Sequence, residues 1–142
     1  MPALLPAQPA DSTAVLQALD RMLSAMRTKD ADALRATFHD NARMTLLRPA
    51  PDGSTRVMVL TGEQFVTAAT NPANPPLDEP IRHPVVRVDG NLATVWAEYQ
   101  VRVAGKVSHC GYDAFHLVRV GTDWKILNVA DTFRRTDCGG AW

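Results

Sequence analysis

The stretch from Asn91 to Arg135 constrains this chain more than any other. Three long runs, NLATVWAEYQVRVA, VSHCGYDAFHLVRV and DWKILNVADTFRR, are rich in valine, aromatic and β-branched residues and are separated by Gly105-Lys106 and Gly121-Thr122. Glycine at the first central position of a two-residue loop suits a type II′ hairpin, so the pattern predicts a three-stranded antiparallel meander. With both loops two residues long, Ala104 pairs with Val107 and Val120 with Asp123, which sets the face of every side chain.

One face, the inner, then carries Thr94, Trp96, Glu98, Gln100, His109, Asp113, Phe115, Leu117, Trp124, Ile126, Asn128, Ala130 and Thr132. The other carries Val95, Ala97, Tyr99, Val101, Cys110, Tyr112, Ala114, His116, Val118, Leu127, Val129, Asp131 and Phe133. Both faces are largely apolar, so each needs a cover. A single bulge would reverse the parity of everything beyond it. One in the first run would bring Tyr99 inside, where its hydroxyl could stabilise an oxyanion.

Upstream lie the covering elements. Asp11 or Ser12 can cap a helix whose apolar positions Val15, Leu16, Leu19, Met22, Leu23 and Met26 form one stripe and which ends near Lys29. Asp30 caps a short second helix to Phe38. Ala42 to Leu47 alternates as a strand, Pro49 to Gly53 turns the chain, and Thr55 to Leu60 returns as a second strand. Thr61-Gly62-Glu63 opens a third helix with Phe65, Val66 and Ala69 as its stripe. Asn71 to Pro84 holds five of the ten prolines and reads as an irregular loop.

At 142 residues the chain is one domain, expected over 12–138 with short tails at 1–11 and 139–142. Lys plus Arg equals Asp plus Glu at 15 each, which with no basic stripe argues against a nucleic-acid partner. No stretch approaches the roughly 20 apolar residues of a membrane span, and the proline-cut opening lacks a signal-peptide pattern; the expected location is the cytoplasm. Under the hairpin register Cys138 runs on far from Cys110, so both are expected as free thiols. No CxxC or HxH spacing points to a metal.

Lys29-Asp30-Ala31-Asp32-Ala33-Leu34 and Phe38-His39-Asp40-Asn41-Ala42, followed by Ser108-His109-Cys110-Gly111, Phe115-His116-Leu117-Val118 and Trp124-Lys125-Ile126, resemble segments of the nuclear transport factor two-like superfamily. The later segments resemble its lumazine-binding branch. The resemblance covers about residues 12–138 and implies an α+β cone: a strongly curved antiparallel sheet, with three helices on its concave face, around a pocket. It also implies a small organic ligand and cofactor-independent isomerisation, dehydration or cyclisation by proton transfer. The alternative is a non-catalytic binding or dimerisation module.

On the predicted inner face, Glu98 and Asp113 oppose each other, and two carboxylates in an apolar setting cannot both ionise cheaply. They are the acid–base candidates, with His109 as a third group able to move protons near neutrality. Trp96, Phe115, Asn128, Phe38, Phe65 and, after a bulge, Tyr99 are the candidate ligand contacts. For each aromatic residue the competing role is core packing, and Glu98 or Asp113 could instead be neutralised by Arg82, Arg102 or His109. The apolar outer face predicts a homodimer through sheet-to-sheet contact centred on Val129.

Overall fold

The computed structural model describes residues 9–142, so the first eight residues of the expected N-terminal tail lie outside the described residues. Helix α1 (Pro9–Thr28) starts ahead of the expected caps and runs straight through them. Lys29, with a left-handed φ of 55°, breaks it, and Asp30 caps α2 (Ala31–Ala36) by accepting from the Ala33 amide at 3.0 Å. Strand β1 (Phe38–Pro49) and strand β2 (Thr55–Thr61) form a hairpin. Helix α3 (Gly62–Ala69) opens with a full capping box between Thr61 and Gln64, which satisfies two amides at a helix end that would otherwise lack partners. Then come β3 (Ile81–Asp89), β4 (Leu92–Val103), β5 (Lys106–Val120) and β6 (Asp123–Asp131).

The six strands form one open sheet in the order β2-β1-β6-β5-β4-β3. All neighbours are antiparallel except β1 and β6, which run parallel. The α1 stripe of Val15, Leu19, Met22 and Met26 joins Leu34, Phe38 and Val66 over the concave face, against Val95, Phe115, Leu117, Trp124 and Ile126, to make the core. The architecture is the α+β cone the sequence implies.

The meander is present, but its register differs from expectation at the first turn and at two bulges. The first turn is Ala104-Gly105, with Val103 opposite Lys106. Both turn residues have positive φ, 51° and 77°, the type I′ geometry that matches strand twist better than the expected loop. Two residues on, Arg102 pairs with Val107 but Val101 with His109, so Ser108 is an extra residue that reverses parity along β4. Leu127 is a second extra residue, between the pairs Leu117–Ile126 and His116–Asn128.

These bulges turn Ala93, Val95, Ala97, Tyr99 and Val101 inward, where all are buried, and bring Val129 and Asp131 inward with them. Thr94, Trp96, Glu98, Gln100, Asn128 and Ala130 move to the outer face. His109, Asp113, Phe115, Leu117, Trp124 and Ile126 are inward as expected.

The expected free thiols are a second correction. Cys110 and Cys138 form a disulfide, with Cα atoms 5.7 Å apart. The chain beyond β6 stays paired to β5 as far as Arg134, whose N–H and C=O exchange 2.9 Å bonds with Cys110. It then turns back, with Asp137 at φ 57°, instead of running on along the strand axis. The returning segment lies on β4: buried Gln100 donates to the carbonyls of Cys138 and Gly140 at 3.0 and 2.9 Å. The Trp142 ring lies under the Arg82 and Arg102 guanidinium groups.

Gly111 sits at the tightest crossing, since a Cβ there would strike the Thr132 carbonyl. Gly111→Ala should therefore cost about 1–3 kcal/mol, the usual penalty of overpacking. Chemical denaturation of the two proteins measures the difference, and equal midpoints would show that the crossing can yield.

Candidate active site

A cavity of about 220 Å³ lies under the helices, between the inner face of the sheet and the segment that precedes β3. Met22 and Met26 from α1, Met44 and Leu46 from β1, and Phe65 and Ala69 from α3 supply an apolar wall. Its polar groups are Glu79, Asp113, Asp131, Arg48 and His109. A wider groove of about 600 Å³ runs along α1, α2 and the start of β6, but its ionisable lining groups, Asp20, Arg21, Asp123 and Lys125, are solvated surface side chains.

Local structure explains how the charges meet. Asp113 and Asp131 are directly opposed on β5 and β6, because the Leu127 bulge has shifted β6 by one residue. Arg48, near the end of β1, donates from Nη1 to both Asp131 oxygens at 2.9 Å, and the Leu47 amide donates to Oδ1 at 3.0 Å. Glu79 comes from the proline-rich segment. That segment is held on the sheet edge by backbone bonds between Asp78 and Arg102, and between the Gln100 amide and the Pro80 carbonyl. Lys29 Nζ also bonds its Asn71 and Asn74 carbonyls.

Asp131 thus has charged and neutral donors. Asp113 does not: it is 3% exposed and its Oδ2 has no hydrogen-bond partner. Burial, then the charges of Glu79 and Asp131, push the Asp113 pKa well above the ordinary carboxyl range, with Arg48 opposing. Burial first and Asp131 second push Glu79 up to about 8. Burial also raises Asp131, against the Leu47 and Arg48 bonds. Three carboxyl groups share one guanidinium, so the site favours the protonated forms of Glu79 and Asp113.

His109 lies beside this cluster between aromatic rings, 4.4 Å from the centroid of Phe133 and 5.9 Å from that of Tyr99. Burial, with the charges of Arg48 and Arg135, lowers its pKa to about 4, so the ring is neutral near pH 7 and offers no cation to the carboxyls. Tyr99 does face inward, but its hydroxyl donates to the Thr132 carbonyl at 2.5 Å. Burial, followed by the neighbouring acids, raises its pKa.

The structure therefore gathers only part of the expected set. Asp113, His109 and Phe65 line the cavity. Phe38 supports it through an edge-on contact with Phe65, centroids 5.9 Å apart, and Phe115 is buried in the core beneath. Glu98 and Asp113 are on opposite faces, which removes the expected carboxylate pair. Glu98 is instead ion-paired with Arg82 at 2.5 Å and accepts from Tyr112 Oη at 3.0 Å, and these bonds lower its pKa. Trp96 stacks on Tyr112 outside, half-exposed. Asn128 meets His116 there, 3.3 Å from its Nδ1.

Arg48, Glu79 and Asp131 are the polar residues that sequence reasoning missed. Arg48 does carry a signal, since it continues the Met44, Leu46 alternation of β1. Among the described residues no group of three His, Cys, Asp or Glu side chains could hold a metal ion. No described helix is long and apolar enough to cross a membrane.

The SnoaL-like domain matches the sequence over residues 8–142. No curated protein matches it. Among solved structures, a protein of unknown function with a cystatin-like fold from Nostoc punctiforme superposes with a TM-score of 0.74 at 9% identity, covering 93% of this chain and 97% of that one. A function-unknown protein from Mycobacterium tuberculosis gives 0.72 at 16% identity, covering 92% and 78%. An NTF2-like protein from Cytophaga hutchinsonii gives 0.69 at 15% identity, covering 89% and 98%. At such identities these likenesses speak to the fold alone.

Proposed function

Because the chain belongs to the SnoaL-like domain family, we propose that its apolar cavity binds a small organic molecule and that Asp113 moves a proton to or from it, with Glu79 as the second titrating group. The observation that carries this reading is the buried Asp113 carboxyl, whose Oδ2 has no partner in a cavity shared with two further acids. An acid poised near the working pH is the group general acid–base catalysis needs, and such a group typically contributes about 10²–10⁴-fold to a rate. Isomerisation, dehydration and cyclisation all fit a proton shuttle of this kind, and none requires a cofactor. Asp113→Asn should leave the fold intact and alter binding of any molecule carried through purification in the cavity.

Carboxyl-carbon NMR of protein labelled at Asp and Glu tests the proposal. A Glu79 resonance that titrates at about pH 8 and an Asp113 resonance that titrates well above the ordinary carboxyl range are expected; ordinary values near 4 for both would leave only a non-catalytic binding module. The lumazine-binding branch is a narrower form of the same proposal, and a fluorescence titration with lumazine tests it.

We further propose a homodimer through the outer sheet face. Val129, expected at its centre, is inward and buried, so Val129→Arg would disrupt the core instead. The apolar surface exposed outside is Trp96, Val85, Leu92, Val57 and Val59, each about half-exposed or more. A two-fold contact would cover this surface with its own copy. Sedimentation should give twice the 15.5 kDa chain mass, and Trp96→Glu should return it to one chain. A wild-type monomer at every concentration would defeat this proposal.

The disulfide bears on location. Stable bridges belong to oxidising compartments, so the cytoplasmic placement proposed from the sequence requires the pair to be reduced there. Alkylation at the moment of cell lysis, followed by mass spectrometry, distinguishes the two states.

A further inference from the structure

The same cavity is lined by three carboxyl groups and one guanidinium. Among its described lining residues Arg48 is the only Arg or Lys, and that guanidinium already pairs with Asp131 at 2.9 Å while stacking on the Phe133 ring. The Tyr99 hydroxyl is engaged by the Thr132 carbonyl, and the His109 ring contacts the Ser108 hydroxyl at 3.2 Å. An anionic group entering here would meet three carboxyls and no uncommitted cation. What the site leaves open is a hydrogen-bond partner for Asp113, whose Oδ2 is buried without one. The apolar part of the wall includes three methionines and Phe65, surfaces that adapt to an aromatic ring. An engineered apolar cavity of about 150 Å³ holds benzene, so about 220 Å³ has room for one ring and a short polar arm.

Resting on the reading of this cavity as the ligand site, we propose that its ligand is a single-ring organic amine, bound as the ammonium, with its N–H groups donating to Asp113 and Glu79. The groups around Asp113 are Glu79 from the preceding loop, Asp131 on β6, Arg48 on β1, Tyr99 on β4 and His109 on its own strand. Without a cation in place, burial and mutual repulsion keep protons on Asp113 and Glu79 near neutrality. An ammonium removes the reason for those protons, so its entry ionises a carboxyl and the proton passes to the buffer.

Titration calorimetry at pH 7 with benzylamine, benzyl alcohol and benzoate, each in phosphate and in Tris, tests this. Benzylamine should bind at least tenfold more tightly than benzyl alcohol and release about one proton per molecule, read from the difference between the two buffers. Benzoate should bind more weakly than either. Asp113→Asn should keep benzyl alcohol binding while losing the tenfold preference and the proton release; if that variant does not fold, Glu79→Gln should show a reduced preference. Benzyl alcohol binding without any preference for benzylamine would overturn the amine assignment and leave the cavity reading intact. Benzoate binding as tightly as benzylamine would overturn the assignment outright, and no binding by any of the three would overturn both.

Discussion

As the pH rises from about 6.5 to about 8 the protein should lose about 2 kcal/mol of folding stability through Glu79, at about 1.4 kcal/mol per pH unit for a carboxyl that the fold keeps protonated, with Asp113 acting in the same direction. Unfolded, Glu79 and Asp113 ionise near 4.5 and 3.8; folded, Glu79 is pushed up to about 8 and Asp113 well above its ordinary value. Between those limits the folded state holds protons that the unfolded state has released, so raising the pH favours unfolding. His109 acts in the opposite sense. Its folded pKa is about 4 against 6.5 unfolded, so in that interval the unfolded chain takes up a proton that the folded one refuses. It therefore offsets about one carboxyl between pH 4 and 6.5 and has no effect above. The surface acids with lowered pKa, Glu98, Glu63 and Asp52, are fully ionised throughout the window and leave its slope unchanged. Urea unfolding at the two ends of the window measures the loss, and Glu79→Gln and Asp113→Asn should each flatten it. Stability that is level or rising over this range would show that the carboxyls are ionised in the folded protein.

Removing the disulfide should have an effect of similar size. The bridged residues are 28 apart in sequence, and closing a loop of that length restricts the unfolded chain by about 3–4 kcal/mol in the loop-entropy account. For a chain of this size that is a fall of roughly 10 °C in the unfolding midpoint. Cys138→Ser should show it, and so should the wild-type protein in strong reductant. Gln100 adds to the cost, because it is 1% exposed and both of its amide donor bonds end on the returning segment. Denatured protein prepared without reductant should release no thiol. Two thiols per chain, or an unchanged midpoint in Cys138→Ser, would count against the bridge.

The fold was legible because it rests on periodicity. The α1 stripe, the Asp30 cap, the Thr61 start and the Gly121-Thr122 turn depend on local residue types, and the resemblance supplied the cone. The candidate site was less legible, because it depends on parity and parity depends on bulges. Ser108 and Leu127 look like ordinary strand residues, yet each extra residue exchanges the faces beyond it. That exchange separates Glu98 from Asp113 and brings Asp131 to it. Asp113, His109 and Phe65 were found because their faces are unaffected, whereas Glu79 lies in a proline-rich segment with no period to read. The cysteine pairing was missed for a related reason, since nothing local announces that Asp137 adopts a left-handed backbone and reverses the chain.

The parallel pairing of β1 with β6 also governs the order of assembly. Met44 meets Val129, 85 positions further along the chain, so the hairpin of β1 and β2 has no further lateral partner until the last strand exists. Until then the β1 and β2 hairpin has an open strand edge, whereas the β3 to β6 pairings join strands that are neighbours in sequence. Pairings so distant in sequence slow folding towards the millisecond-to-second range. The strand that delivers Asp131 to the acid cluster is thus also the one whose arrival joins the two halves of the sheet.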